Sequence, residues 1–173
     1  MTGLVHIYCG DGKGKTTAAL GLALRAAGSG LKVMVVRFMK TDSSGEVAAL
    51  KAIPAIHLVP CTKSFGFSWN MTSEQKAEAA EYYSALFAKC WDEACRDYDM
   101  VVFDEMMSVV SGGFVSGEAL FKALRDKPEG LEVVMTGRNP SEQLLETADY
   151  VTEMRAVKHP YSRGIEARKG IEY

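Results

Sequence analysis

The stretch from Ile7 to Gly28, IYCGDGKGKTTAALGLALRAAG, decides how the rest of the chain is read. Gly10, Gly12 and Gly14 alternate with Asp11, Lys13 and Lys15. Before them lies an apolar run, Leu4 to Tyr8, that reads as a buried strand. After them, Thr16 to Ala27 are good helix formers, and Gly28 and Gly30 supply the stop. Glycines between a strand and a helix let successive backbone N–H groups turn inward, and the positive helix N-terminus then favours an anion. The phosphate-loop pattern is G-x-x-x-x-G-K-[ST]. Gly14-Lys15-Thr16 fills its end, but the first glycine would fall at Cys9, so Gly10 is expected to take up the turn. Lys15 and Lys13 bring charge, and Thr16 brings a hydroxyl for Mg²⁺. Gly10, Asp11, Gly12, Lys13, Gly14, Lys15, Thr16 and Thr17 are therefore the expected triphosphate-binding residues. The competing reading is a glycine-rich turn with solvated lysines.

Outward from the loop, the same alternation repeats. Lys32 to Phe38, Met100 to Phe103 and Leu131 to Thr136 are mostly apolar, as strands covered on both faces are. Ile56 to Val59 is a shorter candidate, and Tyr150 to Met154 is the last. Thr72-Ser73-Glu74-Gln75 has the form of a capping box. Ala80, Tyr83, Phe87, Trp91, Ala94 and Tyr98 then recur along one face of a long helix. Ser116 to Leu124 is a helix broken by Pro128 and Gly130. Asn139-Pro140-Ser141-Glu142 starts another, with Pro140 expected at the first helical position. Arg155 to Tyr173 is polar and basic without a clear period. This order predicts one α/β domain over residues 1–173, with a mostly parallel sheet flanked by helices.

Composition narrows the function. A length of 173 residues suits one core, and 47% hydrophobic with 24% charged residues is ordinary for a globular protein. A net charge of −2 gives no basic footprint, so nucleic acid is not an expected partner. No apolar stretch approaches the ~20 residues of a membrane span. Met1-Thr2-Gly3 runs straight into a strand-like segment instead of a signal peptide. Cys9, Cys61, Cys90 and Cys95 lack C-x-x-C spacing, so free thiols in a reducing cytoplasm are expected.

Asp104-Glu105 closes the strand that starts at Met100. Asp104 reads as the acidic residue that holds Mg²⁺ in phosphate-loop folds, or else as a cap at a strand end. Glu105 is a candidate for metal binding or for activating water. These motifs point to a nucleoside triphosphate and leave open what is done with it.

Beyond these motifs, the chain resembles the phosphate-loop ATP:corrinoid adenosyltransferases over almost its whole length. GDGKGKTTAALGLALRAAG resembles the family's loop and first helix, including the missing first glycine. FGFSW, from Phe65 to Trp69, is similar to its G-F-[ST]-W segment. VVFDE and TGR, the latter Thr136 to Arg138, resemble its strand ends. VTEMRAVKHPYSRGIEARKGIEY resembles its close, which generic phosphate-loop ATPases lack. Cys9, Arg37 and the WNMTSEQ segment depart from the family pattern. Some relatives also carry an N-terminal helix over the active site.

The resemblance implies a three-layer, RecA-like phosphate-loop fold. It implies transfer of the 5′-deoxyadenosyl group of ATP to Co(I) of cobalamin or another corrinoid, with the whole triphosphate leaving. Lys15 and Glu105 are then catalytic, and Arg25 and Arg138 match positions near the phosphates. Thr16, Asp104 and Glu105 are the implied metal ligands. Phe67 and Trp69 match aromatics that displace the axial ligand of Co(II) before its reduction. Arg25 is otherwise a solvated helix residue, and Phe67 and Trp69 are otherwise core. His159 is as well read as part of a structural pair as a cobalt ligand. An electron-donating reductase and a homodimer are also implied; Tyr82, Tyr83, Phe87 and Trp91 suggest more apolar helix surface than one small sheet covers. The rival classes are an ATPase or small-molecule kinase on the same fold, and a corrinoid-binding protein without catalysis.

Overall fold

The apolar runs form a six-stranded sheet in the order β3-β2-β4-β5-β1-β6, and every pairing in it is parallel. The computed structural model describes residues 2–63, 65 and 71–173. In chain order the strands are β1 (Val5–Cys9), β2 (Val33–Arg37), β3 (Ile56–Leu58), β4 (Met100–Asp104), β5 (Glu132–Thr136) and β6 (Tyr150–Glu153). The helices are α1 (Lys15–Gly28), α2 (Glu46–Lys51), α3 (Ser73–Asp97), α4 (Met106–Ser111), α5 (Gly117–Arg125) and α6 (Glu142–Thr147). A 3₁₀ turn follows at Pro160–Arg163.

Both faces of the sheet are covered, which explains why its central strands read as continuous apolar runs. Along β4, Val101 and Phe103 enter one core, while Met100 and Val102 enter the other. The first core holds Tyr83 and Phe87 of α3 against Phe38 and Phe103. Ring centroids lie 5.5 Å apart for Phe87 and Phe103 and 5.9 Å for Phe38 and Tyr83, within the range where aromatic pairs add about 0.5–1.5 kcal/mol beyond area burial. On the other face α1 buries only Ala19, Ala23 and Ala26, small side chains at helical spacing. Small contacts let the helix lie close to the strands and hold its N-terminus at the sheet's edge.

The capping box forms as expected. Thr72 Oγ1 accepts from the Gln75 N–H at 3.3 Å, and Gln75 Oε1 accepts from the Thr72 N–H at 2.9 Å. Two expectations need correction. Pro140 is not the first helical residue: Ser141 caps α6, its hydroxyl accepting from the Leu144 N–H, and the helix begins at Glu142. The aromatics of α3 are also not surplus. Tyr83 and Phe87 are buried, and Tyr82 and Trp91 pack against the same core. Exposed large apolar side chains lie instead at Leu24 on α1, at Tyr150 and Val151 on edge strand β6, and in the tail at Val157, Tyr161, Ile165, Ile171 and Tyr173. All four cysteines are free thiols, and no described helix is long and apolar enough to cross a membrane.

Candidate functional site

Parallel pairing brings the carboxyl ends of the strands to one edge, where open α/β sheets bind ligands. The loop after β1 shows why its glycine pattern is shifted. Cys9 is still strand: it is buried, and its carbonyl accepts from the Met154 N–H at 2.8 Å. The turn starts one residue later, at Gly10, with φ of 98°. A Cβ on Gly10 would collide with the Met154 carbonyl oxygen, and one on Gly12 would lie 2.6 Å from the same atom. The Gly12 N–H donates to that oxygen at 2.7 Å. The chain leaving β6 is thus laid directly against the loop and leaves room only for glycine. Asp11 serves the same docking, its Oδ1 accepting from the Ala156 N–H at 3.3 Å.

Gly14 caps α1 with φ of 115°, so the free N–H groups of the first turn open toward the loop. Lys15, the first residue of α1, folds back across it. Its ammonium donates to the Gly10 carbonyl at 2.7 Å and the Gly12 carbonyl at 2.8 Å. Burial pushes the Lys15 pKa down; the charge of Arg138 adds to this, and Glu105 and Asp11 oppose it. Such a lysine is poised to gain from an incoming anion.

Asp104, at the end of β4, is fully buried. Its Oδ1 accepts from the Thr16 hydroxyl at 2.8 Å and the Thr136 hydroxyl at 2.7 Å. Its Oδ2 accepts no aligned hydrogen bond and instead lies 2.5 Å from the Lys40 ammonium. Thr136 also accepts from the Glu105 N–H at 2.9 Å, which fixes the turn after β4. Glu105 sits there at φ of 62°, and its carboxylate accepts from the Ser108 hydroxyl at 2.7 Å. The Thr16 hydroxyl and the under-satisfied Asp104 oxygen are hard donors of the kind Mg²⁺ takes. Among the described residues no cluster of three or more His, Cys, Asp or Glu is set to hold a metal. Two protein oxygens completed by phosphate and water fit the habit of Mg²⁺ in nucleotide sites.

Beside the loop lies a cleft of about 870 Å³. Lys13, Thr16 and Thr17 form one wall, and Lys40 comes from the segment after β2. Ile171 and Tyr173 close it from the tail. Arg168 grips Glu172 through two side-chain hydrogen bonds, holding its carboxyl down at about 2. Buried Arg37 orders the segment after β2: it donates to the Thr41 carbonyl at 3.2 Å and pairs with Asp42 at 2.5 Å.

The expected residues are therefore only partly assembled. Gly10 to Thr17 and Asp104 converge, with Glu105 and exposed Arg138 beside them. Arg25 lies ten residues along α1 from Lys15, about 15 Å of helix, and is exposed at the far end, so it is not brought to the loop. Phe67 and Trp69 fall outside the described residues. His159 caps the 3₁₀ turn, its Nδ1 accepting from the Tyr161 N–H at 3.2 Å. Sequence reasoning missed Lys40, Thr136 and the role of Met154. Lys40 and Thr136 follow or close apolar strands, and position at a strand's carboxyl end was the available signal.

The comparisons agree with one another. A family model described as ATP:corrinoid adenosyltransferase BtuR/CobO/CobP matches residues 1–173. The chain is 37% identical over 177 residues to the corrinoid adenosyltransferase of Escherichia coli K12, covering 99% of this chain and 86% of that protein. It is 36% identical over 177 residues to corrinoid adenosyltransferase CobA of Salmonella typhimurium, with the same coverage. Against the corrinoid adenosyltransferase of Pseudomonas aeruginosa the identity is 35% over 179 residues, covering 99% of this chain and 84% of the relative.

Proposed function

Because this chain belongs to the ATP:corrinoid adenosyltransferase family of transferases, we propose that it forms a cobalt–carbon bond at C5′ of ATP and releases tripolyphosphate. The Co(I) lone pair attacks C5′, the C5′–O bond breaks, and its electrons leave on the triphosphate oxygen. Charge on the leaving group rises toward the transition state, which is where fixed donors lower a barrier. The observation that carries this reading is the loop itself: glycine amides, the α1 N-terminus and Lys15 are gathered beside Thr16 and Asp104.

In this reading Lys15 moves from the loop carbonyls to the phosphates, joined by Lys13 and Arg138. Thr16 and Asp104 hold Mg²⁺, with Glu105 beside them. The metal supplies further neutralisation of the triphosphate. Phe67 and Trp69, by resemblance, keep the axial face of cobalt free of water so that a reductase can deliver the electron. A homodimer is part of the proposal, supported by the edge position of β6 among the described strands and its exposed Tyr150 and Val151. Incubation of the protein with ATP, Mg²⁺ and chemically reduced cobalamin tests the reading. Appearance of the light-sensitive alkylcobalamin spectrum is expected, and its absence with folded protein contradicts it.

A further inference from the structure

The contact between Lys40 and Asp104 has a chemistry of its own. Asp104 is fully buried, and Thr16 and Thr136 hydrogen-bond only its Oδ1. The Lys40 ammonium lies 2.5 Å from Oδ2 and donates to Thr16 Oγ1 at 3.1 Å. It therefore touches the two protein oxygens that suit a divalent cation. An ammonium and a hard metal ion compete for the same lone pairs, and two cations do not share that space.

We propose that Lys40 is the resident counter-ion of this site: it occupies the metal position in the nucleotide-free protein and is exchanged for the metal when the metal–nucleotide complex enters. The proposal rests on the reading that Thr16 and Asp104 take the metal. Without Lys40, Asp104 would be a buried, unpaired carboxylate in the empty protein, a costly arrangement. With Lys40 in place, free metal is held off. Lys40 also lines the cleft, so an incoming triphosphate offers the displaced ammonium a new partner. Binding of the metal is thereby coupled to binding of the nucleotide.

The test uses Mn²⁺ as probe, titrated by electron paramagnetic resonance into the full chain without nucleotide. Lys40→Met should bind Mn²⁺ more tightly than wild type, on the order of ten- to a hundredfold, because a charge-assisted contact no longer competes. With a non-hydrolysable ATP analogue the difference should shrink. Thermal unfolding is an independent readout: Mn²⁺ alone should raise the Tm of Lys40→Met more than that of wild type. If Lys40→Met does not fold without metal, Lys40→Gln keeps a neutral donor and should show the same direction. The double variant Lys40→Met/Asp104→Asn should fold without metal and lose the tight site. Equal or weaker Mn²⁺ binding by the folded Lys40 variants, with the site still lost on Asp104→Asn, overturns the counter-ion role alone. Mn²⁺ binding indifferent to Asp104→Asn with the analogue present overturns the metal reading and the proposal together.

Discussion

The same substitution, glycine to alanine, should have opposite effects at Gly12 and Gly21. At Gly12 the new Cβ would lie 2.6 Å from the Met154 carbonyl oxygen and 2.8 Å from the Arg155 carbonyl carbon, against the 3.4 Å where ordinary contact begins. Both neighbours are backbone, so the chain after β6 must retreat by about 0.8 Å, or the loop must. Either movement breaks the 2.7 Å hydrogen bond from the Gly12 N–H. Overpacking costs about 1–3 kcal/mol and a lost hydrogen bond about 0.5–1.5 kcal/mol, so Gly12→Ala should lose roughly 2–4 kcal/mol of stability. Gly21 sits inside α1 with no atom within 4 Å of its would-be Cβ. There alanine should add about 0.5–1 kcal/mol by lowering the entropy of the unfolded chain and improving helix propensity. Urea unfolding of both variants measures the two signs, and calorimetry with ATP should show weakened binding only for Gly12→Ala. Wild-type stability and ATP affinity in Gly12→Ala would refute the claim that the chain after β6 shapes the loop after β1.

Lys15 has a pKa held below its ordinary 10.5 by burial and Arg138. In the window between that lowered value and 10.5 the unfolded chain binds more protons, so stability of the nucleotide-free protein should rise with pH there. ATP binding in that window should draw a proton onto Lys15 and weaken with rising pH, which calorimetry in buffers of different ionisation enthalpy detects; no proton uptake would remove Lys15 from the phosphates. Trp69→Ala should bind ATP yet fail to adenosylate from Co(II)cobalamin with a weak reductant, and should recover when Co(I) is supplied chemically; full activity from Co(II) denies the aromatic a role at cobalt. Light scattering should report a dimer that a charge placed at Val151 disrupts, and a monomer at micromolar concentration contradicts the assembly.

Much of this architecture was legible because its signals are local. Apolar runs such as Lys32 to Phe38 mark strands covered on both faces, and Thr72 with Gln75 marks the start of α3 within one turn of chain. The helices α2 and α4, six residues each, were not legible: so short a segment shows no period, and neither carries a side-chain cap like the Ser141 that marks the equally short α6. Pro140 lies two residues before α6: proline suits the first helical position, but Ser141 supplies the cap that sets the helix start. In the site, Gly10 to Thr16 could be read because the motif is contiguous. Lys40 and Thr136 could not, because they meet Asp104 only after three separate strands are laid side by side. The second function of Gly10 and Gly12, making room for Met154, was hidden for the same reason: the partner lies more than a hundred residues away.

In the proposed reaction carbon, not phosphorus, is the atom attacked. Phosphorus NMR of a completed reaction with ATP, Mg²⁺ and Co(I)cobalamin tests it directly. Intact tripolyphosphate, formed in step with the alkylcobalamin, is expected. ADP and orthophosphate as the main products would contradict it and return the protein to the ATPases and kinases that share its loop.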